Sequence, residues 1–184
     1  MADSREKWNQ KYRLRTGDPS GPDPFLVEAL RWLRPGSVLD LACGDGRNSL
    51  YLADRGLTVT GIDISEVGLA RLRRTAQSYT LVIDTLEADL EAPDLNPGWG
   101  PFDNVIIFNY KPSERLWASV HALVKTGGTF VFCTFNQKNR DAFNPAFLLK
   151  PGAYRNGIKH FELVHFAEPT LDGKHRDGYI FRKV

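Results

Sequence analysis

VLDLACGDGRNS, residues 38–49, sets an apolar run against a turn of small residues, with one carboxylate before the turn at Asp40 and another within it at Asp45. Ligands of open α/β sheets sit beyond the carboxyl ends of the strands, near the point where strand order reverses. If residues 37–43 form the first strand, this turn stands at that point.

The chain on either side fits the assignment. GRNSLYLADRG reads as a helix closed by Gly56, LTVTGIDI as a second strand, and SEVGLARLRRTAQS as a helix capped by Ser65. YTLVIDTLEADL and FDNVIIFNY read as strands three and four, and their apolar runs suit parallel strands covered on both faces. SERLWASVHALVKTGG is the next helix, expected to stop at Gly127–Gly128, and TFVFCTFN is strand five. Upstream, DPFLVEALRWL offers Asp23 as N-cap and Pro24 at the first helical position. Residues 137–159 form a polar segment around a short helix, NPAFLL, and HFELVHFAEP and DGYIFRKV then read as a hairpin joined by TLDGKHR. The expected fold is α/β: a Rossmann-like, doubly wound, mostly parallel seven-stranded sheet ending in an antiparallel hairpin, with helices on both faces. Residues 1–184 are expected to form a single domain, with 1–22 as an N-terminal arm and 137–159 as an insertion on the substrate side.

Composition narrows the function classes. At 184 residues, 42% hydrophobic and 25% charged, the chain has the make-up of a soluble domain. A net charge of +2 with no clustered basic stripe argues against nucleic acid. Cys43 and Cys133 stand in no metal or redox spacing and are expected to be reduced thiols of a cytoplasmic protein. MADSREKWNQ is no signal peptide, no run is long enough for a membrane span, and the four histidines offer no metal pair.

The dinucleotide fingerprint G-x-G-x-x-G is matched at Gly44 and Gly46 but broken at Ser49, and Asp40 is a poor neighbour for a pyrophosphate. A cationic ligand accounts better for the acids. S-adenosylmethionine carries an ammonium, a sulfonium and a ribose diol, and no phosphate. Small residues at Ala42, Gly44 and Gly46 let the backbone approach it, with Ala42 expected at negative φ. Asp40 suits the ammonium. Asp63, 17 residues past Gly46, falls near the offset of about 20 at which an acid meets ribose hydroxyls, with Ile64 beside it. Asp89 and the amide of Leu90, ending strand three, suit the adenine. Three acids at three successive strand tips are a sharper signal than glycines alone.

On these residues the chain resembles the class I S-adenosylmethionine-dependent methyltransferases: DLACGDG looks like their first motif, GIDIS their acidic second and ADL their third. It is similar in particular to the tellurite-resistance-type group, in WNQKY near the start, FNYKP after strand four and FNPAFLLKPG after strand five. The resemblance implies a methyltransferase using S-adenosyl-L-methionine. Trp8 and Tyr12, four apart on one helix face, would then close over the methionine end, with Tyr12 or Arg13 reaching its carboxylate. Phe108 would border the cofactor, and Phe108, Asn109, Tyr110 and His160 are candidates to line the acceptor. The catalytic residue itself is not identified, and no metal is expected. Asp45 is expected to cap the following helix, and Arg71, Arg73 and Arg74 to form a solvated face.

With little sequence beyond the catalytic fold, a small-molecule acceptor is expected, with no nucleic acid or membrane partner. Two other readings stay open: an RNA or protein methyltransferase recognising its target through a partner subunit, and an S-adenosylmethionine-binding module without activity.

Overall fold

The structure is a computed structural model and describes residues 2–92 and 98–184. Helix α1 (Ala2–Arg13) is the arm, followed by α2 (Pro24–Ala29), β1 (Ser37–Leu41), α3 (Arg47–Asp54), β2 (Thr58–Asp63), α4 (Glu66–Ser78) and β3 (Ile83–Glu87). The second half holds β4 (Phe102–Phe108), α5 (Glu114–Leu123), β5 (Val124–Phe135), β6 (Phe161–Ala167), β7 (Thr170–Leu171) and β8 (Lys174–Lys183). Seven strands follow the order β3-β2-β1-β4-β5-β8-β6, and the two-residue β7 pairs with β8 off that path. Strands β1 to β5 are parallel, and β8 runs antiparallel to both β5 and β6. The expected sheet and its closing hairpin are present, and strand order reverses between β1 and β4.

Each face of the sheet carries its own core. Leu39, Leu41, Val105, Ile107, Phe130, Phe132, Tyr179 and Phe181 pack beneath Leu116, Val120 and Leu123 of α5. Val38, Val59, Ile106, Phe108, Val131 and Ile180 pack on the other face against Phe25, Leu26 and Ala29 of α2 and Leu52 of α3. This alternation of facing residues follows from the period-two geometry of strands. Asp23 caps α2 as expected, its carboxylate accepting from Phe25 N at 3.0 Å. No helix among the described residues is long and apolar enough to cross a membrane.

Local boundaries differ from the sequence reading in three places. Helix α5 stops at Leu123, and Gly127–Gly128 lies inside β5, where the register to β4 shifts between Phe102 and Asn104. A Cβ on Gly128 would fall 2.8 Å from the carbonyl oxygen of Asp103, so this irregularity in the ladder, rather than a helix end, requires the small residue. Strand β3 is shorter than expected, because α4 runs to Ser78 and the chain turns at Thr80 (φ 57°). TLDGKHR is itself a hairpin: Asp172 and Gly173, at φ 50° and 72°, form the tight turn between β7 and β8. NPAFLL contributes one short turn, Pro145–Phe147, capped by Asn144.

Candidate active site

The glycine turn follows β1 at the carboxyl end of the sheet. Ala42, Gly44 and Gly46 all have positive φ, at 59°, 60° and 85°. The expected negative φ at Ala42 is therefore wrong; its methyl group sits in the left-handed region at a cost of about 1–2 kcal/mol. The bareness of the two glycines also has a cause inside the protein. A Cβ on Gly44 would fall 2.2 Å from the Tyr12 hydroxyl, and one on Gly46 would fall 2.1 Å from Leu72 Cδ1. Close approach by the arm and by α4 requires these glycines, whatever ligand also comes near.

Two of the three acids converge on this turn. Asp40 is buried, its carboxylate accepting a 2.6 Å hydrogen bond from Ser49 Oγ on α3. Burial pushes its carboxyl up to about 7, the neighbouring Asp63 adds to the shift, and Ser49 and Arg47 oppose it. Ser49, the misfit in the dinucleotide fingerprint, is thus the partner of the acid that made that fingerprint improbable. Asp63 accepts from Gly44 N and from Ser65 N, both at 2.8 Å, and so joins the end of β2 to the turn and to the start of α4. Burial raises its carboxyl as well, against the pull of those amides. Asp89 sits past the end of β3, accepting from Glu91 N at 2.9 Å, with Leu90 buried beside it and Ile64 half-buried after β2.

The arm lies over this region. The Tyr12 ring is buried, and a Cβ on Gly68 would meet it at 3.1 Å; Trp8 stacks on it at 6.1 Å between centroids. Asn9 is buried too, accepting from Ser65 Oγ at 2.7 Å. Arg13 does not reach the site: it pairs with Glu6 at 2.7 Å, and both side chains are half exposed. The arginine that reaches the turn is Arg15, whose Nη1 donates to both oxygens of Asp45 at 2.9 Å. Asp45 therefore does not cap α3, whose N-cap is Gly46. Arg71 is buried rather than solvated, donating to the carbonyls of Arg15 (2.9 Å) and Gly17 (2.8 Å).

On the other side of the strand-order reversal, Phe108 ends β4 in the core, its ring 6.5 Å from that of Phe25. Asn109 follows at φ 54°, its amide donating to Cys133 O at 2.8 Å. The Tyr110 hydroxyl donates to Glu91 Oε1, which bridges the loop after β3 to the loop after β4. Burial, and next the hydrogen bond to Glu91, raise the Tyr110 phenol above its ordinary value. Lys111 Nζ donates to Ala146 O at 2.8 Å and ties that loop to the 137–159 segment. His160 is not part of this mouth. Phe161 pairs with Lys183 and Thr129 with Arg182, so β6 begins at the amino end of β5, and His160 stacks there on His121 at 4.9 Å.

Two buried groups at the carboxyl end of β5 were not legible from spacing. Asp177 accepts from Asn136 Nδ2 (2.7 Å), Gly152 N (2.6 Å) and Tyr179 Oη (2.7 Å), pinning the 137–159 segment to the sheet. Arg176, fully buried, grips Asp23 with both terminal nitrogens and lies 3.3 Å from Asn109 Oδ1. Asp23 also accepts from Arg47.

Residues 38–128 match the family described as "Methyltransferase domain". The methyltransferase sll0829 of Synechocystis is 30% identical over 171 residues, covering 84% of this chain and 78% of that protein. The probable S-adenosyl-L-methionine-dependent methyltransferase TehB of Haemophilus influenzae is 35% identical over 91 residues. That match covers 50% of this chain and 32% of TehB, so the chain spans about a third of that relative. The TehB crystal structure superposes with a TM-score of 0.75 at 21% identity, over 98% of this chain and 67% of that one. A structure described by the conversion of a disulfide bond into a thioacetal group in echinomycin biosynthesis gives 0.78 at 20% identity, over 97% and 91%. With the strand-end acids, the glycine turn and the strand order in place, these likenesses identify the chain as a member of the class I S-adenosylmethionine-dependent methyltransferases.

Proposed function

We propose that the chain transfers a methyl group from S-adenosylmethionine to a small-molecule acceptor by direct in-line displacement. The observation that carries this reading is the pair of buried carboxyl groups, Asp40 and Asp63, at the glycine turn, which suits a cation and a diol and disfavours a pyrophosphate. Asp40 would hold the ammonium, Asp63 the ribose hydroxyls, and Asp89 with the Leu90 amide the adenine. Tyr12, whose hydroxyl makes no hydrogen bond among the described residues, would donate to the methionine carboxylate. The bound cofactor supplies an electrophilic methyl group on a sulfonium centre. The chain's own residues align the acceptor at near-attack distance and exclude water.

The acceptor would lie between the arm, the 108–112 loop and the 137–159 segment. The Tyr110–Glu91 bond ties the loop after β4 to the loop after β3, and the Lys111–Ala146 bond ties it to the 137–159 segment. A soft anion, such as a thiolate or a metalloid oxyanion, needs no general base. Tyr110 would not serve as a base for an acceptor that must lose a proton, because its phenol is held protonated against Glu91. The lysines and arginines of these segments are scattered along the sequence, with no two adjacent, and several are paired or tied to backbone, as Arg13 is to Glu6, Arg15 to Asp45 and Lys111 to Ala146. The test is a turnover panel of thiols, metalloid oxyanions, phenols and bulk RNA at low and physiological salt, following S-adenosylhomocysteine release. Turnover with RNA alone, falling steeply with salt, would overturn the small-acceptor reading and leave methyl transfer standing. Binding of S-adenosylhomocysteine without turnover on any acceptor would favour a binding module.

A further inference from the structure

The arm is held over the glycine turn by a three-residue network on one carboxylate. Asp45 stands in the turn itself, between Gly44 and Gly46, and is buried. Arg15, just past the end of α1, grips both its oxygens at 2.9 Å and keeps its own side chain 41% exposed. Arg71 rises from α4 on the other side and spends its two terminal nitrogens on the arm's backbone, at Arg15 O and Gly17 O. Its remaining donor, Nε, is buried without a hydrogen-bond partner and stands 3.6 Å from Asp45 Oδ2.

An unpartnered buried donor costs free energy, so its position beside a carboxylate already gripped by another arginine calls for a reason. We propose that Asp45, Arg15 and Arg71 form an exchangeable latch that sets the position of the arm and gates cofactor exchange. The inference rests on the cofactor reading given above. In the closed arrangement Arg15 holds Asp45, and Arg71 holds the backbone at residues 15 and 17. If the arm lifts, Asp45 loses Arg15 and Arg71 loses both carbonyls. Asp45 and Arg71 then remain within reach of each other, Nε turning to the carboxylate. The buried charges are therefore not stranded when the arm opens, and the opening costs less than breaking an isolated buried pair would. Closure seats Tyr12 against Gly44 and Gly68, over the turn that would carry the methionine end. The three latch residues act through the arm and are positioning residues, not catalytic ones.

The test is the dissociation rate of S-adenosylhomocysteine from the full chain, with hydrogen exchange of residues 2–17 in the bound state. Arg15→Met removes the exposed member without touching the sheet. It should speed dissociation about tenfold and strip protection from α1, while Arg15→Lys restores part of both. Raising salt should speed dissociation from the unmodified chain modestly and have less effect on Arg15→Met, because the pair is open to solvent only on its Arg15 side. Arg71→Lys keeps the charge but loses the fork, and should loosen the arm in the same direction. Unchanged rates and protection in both Arg15→Met and Arg71→Lys, with the unmodified chain binding normally, would overturn the latch alone. Failure of the unmodified chain to bind S-adenosylhomocysteine would instead overturn the cofactor reading and the latch with it.

Discussion

The two halves of the sheet's mouth are held by different kinds of contact. On the cofactor side the decisive bonds are short in sequence: Asp40 with Ser49, Gly44 with Asp63, Asp63 with Ser65. On the acceptor side they are long: Asp177 reaches back to Asn136, and Arg176 reaches Asp23 across 153 positions. The first kind can be written as a motif. The second exists only once β8 has been placed beside β5.

Breaking the long-range side should have the largest effect. Asp23→Ala leaves Arg176 buried without its counter-ion and removes the cap of α2, so stability should fall by about 3–5 kcal/mol. Urea unfolding monitored by circular dichroism measures this. A loss below about 1 kcal/mol would mean that the acceptor half is anchored elsewhere.

On the short-range side, Asp63→Ala should weaken S-adenosylhomocysteine binding by about 1.5–3 kcal/mol, or roughly ten- to a hundredfold, by calorimetry. Unchanged affinity would remove Asp63 from the site. A smaller effect should come from pH. Asp40 titrates near 7 in the free protein, and the cofactor's ammonium favours its carboxylate. Affinity should therefore rise about tenfold from pH 6 to pH 7.5, with proton release, and level off or fall as the ligand's own amine deprotonates near the usual α-amino value of roughly 7.7–8. For stability the sign is opposite. A carboxyl raised in the fold takes up protons that the unfolded chain has already released, so this group's contribution weakens as pH climbs from about 4 through 7. A flat affinity profile between pH 6 and 7.5 would separate Asp40 from the ammonium. The smallest effect is expected at the turn: Ala42→Gly relieves a left-handed alanine and should raise stability by about 1 kcal/mol or less, read as a shift in thermal midpoint. A clear loss of stability would show that the alanine methyl group packs favourably there.

The same contrast governs how much could be read from residues alone. Strand–helix alternation exposed the fold and placed the strand-tip acids and the glycine turn at one end of the sheet, because period and spacing are local properties. Arg15 reaches the loop where Arg13 is expected, because α1 ends at Arg13 and a helix end cannot be placed from sequence to within one or two residues. Asp45 looked like a cap because it precedes a helix, and nothing local announces the arginine that claims it. His160 failed for a topological reason. A strand that returns parallel to β5 begins at the far end of the sheet, and the pairing that fixes its direction runs through β8. Asp177 and Arg176 sit in an ordinary strand sequence, and only the fold shows that they are buried.

The position of β8 also bears on how the chain is made. Its residues, 174–183, form the strand between β5 and β6, and among the described residues β6 pairs with no other long strand. During synthesis from the amino end, β1 to β5 can assemble while β5 still presents an open edge and Asp23 still lacks Arg176. Such an edge invites pairing with another chain until it is covered. The order of synthesis thus runs against the order of burial, and the edge of β5 stays open until β8 emerges.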